Sequence, residues 1–307
     1  MKTILDKNRL NMNYNSDDLV LREDLKWIKL SEVQKGDKIF VINKAMKGTF
    51  QTVNAVYSYT GKGYRYLNKY NDCFRTDLDF LSGDHYIIKN YFTYNGTLDI
   101  KEPLMRLITM MYNVDKRNGD RAGSYTVSIP NSRKRKRCIE LLKLNNIKYI
   151  VNSNEITFSC CKINIKRDTY PAKFYKLSAN AESAFLDELK YWGCYKYSEK
   201  VKVFISADRD GADLIAFIAH SLGYGTRTYA KMRGNTLTYC IAIKNKNRTR
   251  CNKLKKETNY MDTKFIVLDV DNEKCTPLIR TDKTCIVGKI YTDKHSAKKL
   301  ENIKKTI

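Results

Sequence analysis

Acidic residues are scarce in this sequence. There are 33 Asp and Glu against 57 Lys and Arg in 307 residues, a formal net charge of +24. Long apolar runs are also missing: Leu214–Ala219 is among the longest, far short of the roughly 20 residues a membrane helix needs. Met1-Lys-Thr-Ile-Leu-Asp-Lys7 has no apolar core of the kind a secretory signal carries, so a cytoplasmic or nucleoid location is expected. The nine cysteines contain no Cys-x-x-Cys pair, and His85, His220 and His295 stand apart from one another. Neither a zinc site nor a disulfide framework is expected, and the thiols are expected to be buried in a reducing compartment. At 42% hydrophobic and 29% charged residues, the composition excludes a disordered tail and supports a packed core.

The surplus of positive charge is spread along the whole chain, so the folded surface must carry it. A polyanion is the expected partner, and nucleic acid is the default, because neutralising phosphates releases counterions. No helix combines a basic face with a Trp/Phe/Leu face, so a membrane surface is not expected as partner.

The periodicity implies an α+β chain. Residues 1–20 are polar and aperiodic and predict a loose tail. From Trp27 to about Ile100 short strands alternate with turns, as where Lys35-Gly36-Asp37 precedes Ile39–Ile42. Pro103 opens a helix bearing Leu104, Leu107, Ile108 and Met111, followed by a strand at Ser124–Ile129. A second helix starts at Ser132 with the run Arg133, Lys134, Arg135, Lys136, Arg137, and strands follow at Tyr149–Val151, Glu155–Ser159 and Ile163–Ile165. The plan then recurs. Asn180 can cap a helix through Phe185, Leu186 and Leu189, with a strand at Val201–Ser206 and a helix from near Asp210 to Gly223. Strands at Gly225–Lys231 and Leu237–Lys244 complete it, so helix, strand, helix, strand, strand appears twice. Lys244 to Lys256 carries seven basic residues and no acid, including Lys244, Lys246, Arg248 and Arg250. That stretch is a linker or a phosphate-facing segment.

Several stretches together resemble an intein carrying a LAGLIDADG (dodecapeptide-type) homing endonuclease. Trp27-Ile-Lys-Leu-Ser-Glu-Val-Gln-Lys-Gly-Asp-Lys-Ile-Phe-Val41 is similar to the opening strand pair of the Hint splicing fold, and Asp84-His85 to its Thr-x-x-His element. Phe265-Ile-Val-Leu-Asp-Val-Asp271, then Leu278-Ile-Arg-Thr-Asp-Lys-Thr-Cys-Ile-Val-Gly-Lys289, resembles the closing strands. Leu104-Met-Arg-Leu-Ile-Thr-Met-Met-Tyr-Asn-Val-Asp115 is similar to the first LAGLIDADG helix, and Phe185-Leu-Asp-Glu-Leu-Lys-Tyr-Trp-Gly-Cys194 to the second. The resemblance implies two pseudo-repeated α-β-α-β halves, 101–177 and 178–259, inserted into a mostly β Hint-like module of 21–100 plus 260–291. It implies a monomer that binds double-stranded DNA.

The same resemblance shows where chemistry has been lost. Splicing requires a closing Asn before a nucleophile, and here Lys289 and Ile290 stand at those positions. Cleavage in the family uses one acid at the end of each helix to hold divalent metal over the scissile phosphates. The aligned residues here are Val114 and Gly193. Asp115 offers a carboxylate only if the first motif slips by one residue, which turns the side chain by about 100° on a helix. Asp115 is thus the single catalytic and metal-ligand candidate, with Mg²⁺ the cofactor if cleavage is retained. The small residues at the helix seam are replaced by Thr109 and Glu188, and Asp187 with Glu188 predicts an exposed pair. Tyr191 and Trp192 are expected in the core. The phosphate-binding candidates are Arg133 to Arg137, Lys231, Arg233, Lys244, Lys246, Arg248 and Arg250. The expected function is site-specific duplex binding with weak or no cleavage. Alternatives are an active Mg²⁺-dependent endonuclease, an RNA-binding maturase-like cofactor, and a basic phage-type regulator of a host protein.

Overall fold

The computed structural model describes residues 14–43, 45–67, 73–76, 86–89, 92–114, 116–118, 123–160, 169–192, 194–197, 201–244, 248–250, 255–271, 275–281, 286–287 and 289–292. The chain divides into two compact units, residues 1–93 with 246–307, and residues 94–245. Among the described residues no helix is long and apolar enough to cross a membrane.

In the first unit the described regular structure is almost wholly β. Its principal pairing joins two long strands, Gly48–Leu67 and Lys255–Val270, antiparallel from Val53↔Val270 to Leu67↔Lys255. Lys38–Ile42 pairs with the start of Gly48–Leu67, and Gly36, at φ +94°, makes the turn ahead of it. Tyr14, Val20, Ile39, Val41, Val53 and Ile266 fill the core. Of the residues 1–20 expected as a loose tail, the described ones from Tyr14 on include paired strands. Tyr14–Asn15 pairs with Phe265 and Ile266, and Leu19–Leu21 pairs with Trp27–Lys29. Burial of Tyr14 and Val20 outweighs the polarity of their neighbours.

The second unit repeats one plan twice. The first half runs α1 (Glu102–Asn113), β1 (Lys116–Asn118), β2 (Ser124–Ser128), α2 (Ser132–Leu144), β3 (Tyr149–Asn152) and β4 (Glu155–Ser159). The second half runs α3 (Ala179–Trp192), β5 (Cys194–Tyr197), β6 (Val201–Ser206), α4 (Arg209–Ser221), β7 (Gly225–Arg233) and β8 (Thr236–Lys244). The sheet orders are β3-β4-β2-β1 and β7-β8-β6-β5, antiparallel throughout. Each half is thus αββαββ, and its sheet follows the other's order strand for strand. The recurrence expected from the sequence lacked one strand per half. The missing β1 and β5 are short and without apolar alternation, and only pairing with β2 and β6 defines them.

Local signals place the helices. Pro103 lies in the first turn of α1. The Asn131 side chain accepts from Lys134 N (3.1 Å) to cap α2, and Asp208 Oδ1 accepts from Gly211 N (2.6 Å) to cap α4. At α3 the cap is Ser178 and not Asn180: its Oγ accepts from Ala181 N (3.4 Å), and its carbonyl accepts from Glu182 N (2.9 Å). Gly223, at φ +85°, closes α4. α1 packs on α3 and α2, and α4 packs on β6, β7 and β8. Leu107, Met111, Val127, Leu141, Ile156 and Phe158 fill the first half's core. Phe204, Phe217, Ile218, Ile241 and Ile243 are buried in the second.

His220 and Glu182 are among the titratable groups buried in that second half. His220 Nε2 lies 2.8 Å from Thr226 Oγ1, and Nδ1 lies 3.1 Å from Tyr224 O, so Nδ1 carries the proton of a neutral ring. Burial pushes its pKa down to about 4. Glu182 is fully buried on α3. Its Oε2 accepts from Ser221 Oγ (2.6 Å), and its Oε1 has no hydrogen-bond partner among the described residues. Burial pushes this carboxyl up to about 8. The folded chain therefore holds a proton that the unfolded chain releases near its ordinary value. The stability this gives is complete below about pH 4.5 and is lost as pH rises through about 8. Glu182→Gln should raise stability at pH 8 by roughly 1–3 kcal/mol, the gain shrinking as pH falls toward 5. Urea melts across that range check it, and a pH-independent difference would contradict it.

Candidate nucleic-acid interface

Strand register assigns the two faces of each sheet. In the second half Phe204, Ile241 and Ile243 lie on the helix side. Arg227, Tyr229, Lys231 and Arg233 alternate along β7 on the opposite face, level with Ala242, Cys240, Thr238 and Thr236 of β8. Lys244 ends β8 on that same face. The Arg227 guanidinium lies over the Tyr229 ring, 5.1 Å from its centroid, and Tyr229 packs on a small buried cluster of Val203, Cys240 and Ala242. The result is a cationic, aromatic outer face. Sequence reasoning picked out Lys231, Arg233 and Lys244 but missed Arg227 and Tyr229, although the period-two spacing Arg227-x-Tyr229-x-Lys231-x-Arg233 was there to find.

The corresponding face of the first half is different. Ser124, Thr126 and Ser128 of β2 share it with Glu155, Thr157 and Ser159 of β4, and Thr126 and Thr157 are hydrogen-bonded through their hydroxyls (3.0 Å). Ile150 (64% exposed) and Asn152 of β3, the counterpart of β7, lie on this face too, so across β2, β3 and β4 it offers hydroxyls, an amide, an apolar side chain and one carboxylate where β7 offers guanidinium and ammonium groups.

Between the C-terminal ends of α1 and α3 lies a cavity of about 170 Å³, lined by Asn113, Val114, Ser128, Lys134 and Trp192 among others. The Lys134 ammonium donates to Trp192 O (3.4 Å) and lies 5.8 Å from the indole centroid. The Asn113 oxygen accepts from the Tyr170 hydroxyl (3.1 Å), while its amide donates to Thr109 O (2.7 Å). These residues do not fit a divalent cation: one is itself a cation, and the amide oxygens of Asn113 and Asn131 are both engaged. Asp115, Gly193 and Lys246 lie outside the described residues, as does His85. Among the described residues no cluster of His, Cys, Asp or Glu could hold a metal ion.

The run Arg133 to Arg137 is mostly spent within the unit. Arg135 Nη1 donates to Asn154 Oδ1 (2.6 Å) and Ile129 O (3.2 Å). Arg133 and Arg137 lie over the Tyr191 ring at 5.6 and 4.9 Å, and Lys136 is exposed. Arg248 and Arg250 belong to the other unit, in a strand paired with Ile87–Lys89.

Glu188 requires the largest correction. It is fully buried, not exposed. Its Oε1 accepts from Arg137 Nε (3.0 Å) and Trp192 Nε1 (2.9 Å), and its Oε2 accepts from Arg137 Nη2 (2.5 Å) and Arg106 Nη1 (3.5 Å). Four donors from three helices offset the cost of burying the charge. Asp187 beside it is half exposed, and Tyr191, expected in the core, is 39% exposed. The helix seam is ionic at Glu188. At Thr109 the hydroxyl is turned back onto Met105 O (2.9 Å).

No family model matches the chain, and no curated protein matches it. Among solved structures it is similar to the homing endonuclease I-DmoI. A point variant of that protein with its target DNA and Mg matches at 11% identity and a TM-score of 0.33, over 47% of this chain and 91% of that one. I-DmoI with DNA and Mn matches at 11% and 0.33, over 46% and 89%. A mesophilic variant of I-DmoI matches at 12% and 0.34, over 46% and 88%.

Glu188→Ala should destabilise the protein by about 3–5 kcal/mol, because it breaks a buried ion pair that joins two half-buried guanidinium groups across the helices and leaves the Trp192 indole N–H without its acceptor. Thermal melting checks this, and a loss under about 1 kcal/mol would show that the cluster does not hold the helices together.

Proposed function

We propose that the protein is a sequence-selective duplex-DNA-binding protein descended from an intein-borne LAGLIDADG homing endonuclease, without splicing activity and with little or no cleavage. One observation carries the reading: the cationic, aromatic outer face of β7 and β8 on one of two duplicated sheets. Alternating Arg, Tyr, Lys and Arg side chains on a twisted antiparallel sheet suit a major groove, where arginine pairs with guanine and lysine with phosphate. Two unequal halves suit an asymmetric site read by one copy of the chain. The hydroxyls of β2 and β4 supply weaker contacts to the second half-site.

Loss of cleavage is supported by what lies between α1 and α3. An ammonium there neutralises phosphate without a metal, so binding does not depend on Mg²⁺. The unit of residues 1–93 and 246–307 is a relic of the splicing module. Its opening strand Trp27–Lys29 and the turn at Gly36-Asp37 persist, while Lys289 and Ile290 form part of a strand where splicing would need its terminal residues.

Selection of bound duplexes from a genomic library, with Mg²⁺ and separately with chelator, tests this. One asymmetric site should be enriched, uncut and with equal affinity in both. Lys134→Ala should reduce the slope of log K against log salt by about 1. Recovery of the site as Mg²⁺-dependent cut ends would contradict the loss of cleavage and bring Asp115 into the mechanism. Enrichment of folded RNA alone would replace duplex DNA as the partner.

A further inference from the structure

The outermost strand pair of the second sheet reaches past its neighbour. β6 stops pairing at Ser206↔Tyr239, while β7 and β8 continue through Lys231↔Thr238, Met232↔Leu237 and Arg233↔Thr236. The last pairs therefore form a two-stranded ribbon. Gly234, at φ +56°, opens its two-residue turn, a backbone that matches the twist of the strands and keeps the ribbon defined to its tip. Met232 and Leu237 sit directly opposite each other and are 57% and 47% exposed. Lys231 and Arg233 occupy the other face. Two large apolar side chains side by side and half exposed at the end of a ribbon form an exposed apolar patch.

We infer that Met232 and Leu237 form an apolar contact with thymine methyl groups, made when the ribbon tip enters the major groove. This rests on the duplex-binding reading above. A groove about 12 Å wide admits a two-stranded ribbon. Entering tip first, the ribbon turns its cationic face to one wall and its apolar face to the other. The charges draw it to phosphate. The apolar pair then finds the C5-methyl of thymine, the apolar group that base pairs display in that groove. Lys231 and Arg233 hold the ribbon on any duplex, and Met232 and Leu237 favour sites with thymine beneath the tip.

Affinity is measured against salt for the full chain on its selected duplex, and on copies with single thymines replaced by deoxyuridine. Met232, Leu237 and Lys231 are exposed at the ribbon tip and Arg233 is half-buried there, so the serine variant should melt like wild type and melting of the alanine variant is measured beside it. Met232→Ser with Leu237→Ser should bind about tenfold more weakly with an unchanged salt slope. At least one deoxyuridine should weaken wild type about fourfold, the value of one buried methyl, and leave that variant unaffected. Lys231→Ala with Arg233→Ala should lower the slope by about 2 and keep the deoxyuridine effect. Indifference of wild type to every deoxyuridine, or an apolar variant that still responds, overturns the inference while duplex binding stands. Failure of wild type to select any duplex overturns both.

Discussion

One buried carboxylate organises the second unit. Glu188 takes hydrogen bonds from Arg137 on α2, Arg106 on α1 and the indole of Trp192 on its own helix. A charge taken out of water demands such partners in fixed places, so three helices are held in one arrangement. The consequences reach the candidate interface. Arg137 is drawn inward and covers Tyr191 together with Arg133, and Trp192 is set where Lys134 can reach its carbonyl and ring face. A run of five basic residues that suggests a phosphate clamp becomes largely a set of internal clasps.

The framework of the two halves repeats while their outer faces differ. The two αββαββ halves share strand order, which evolution changes slowly because sheet pairing and helix packing must change together. Outward-facing side chains are free of that constraint. On the outer face of one sheet β7 carries arginine, lysine and tyrosine, and at the other sheet β2 and β4 carry mainly serine and threonine.

Much of this was legible in the sequence, and the failures have physical causes. Glu155–Ser159 shows the period of two that a half-buried strand requires, Val201–Ser206 is a short apolar run, and both occupy the expected positions. α4 is marked by Asp208 before it and Gly223 after it. β1 and β5 carry no such signal, because three or four residues are ordered only by a partner strand. Glu188 looked like a surface acid since its partners lie 51 and 82 residues away along the chain, and sequence spacing cannot show a charge balanced at that distance. Arg227 and Tyr229 were legible in principle. Their alternation with Lys231 and Arg233 becomes informative only once β8 shows which face is covered.

The central claim is that one copy of this chain lies across a duplex with unequal halves. Hydroxyl-radical footprinting of the selected duplex tests it most directly, with wild type beside Arg227→Ala. The account predicts protection of two adjacent half-sites by wild type, one stronger than the other, with Arg227→Ala erasing the stronger and sparing the weaker. Equal protection of both halves that Arg227→Ala weakens equally, or no protection at all, would contradict it.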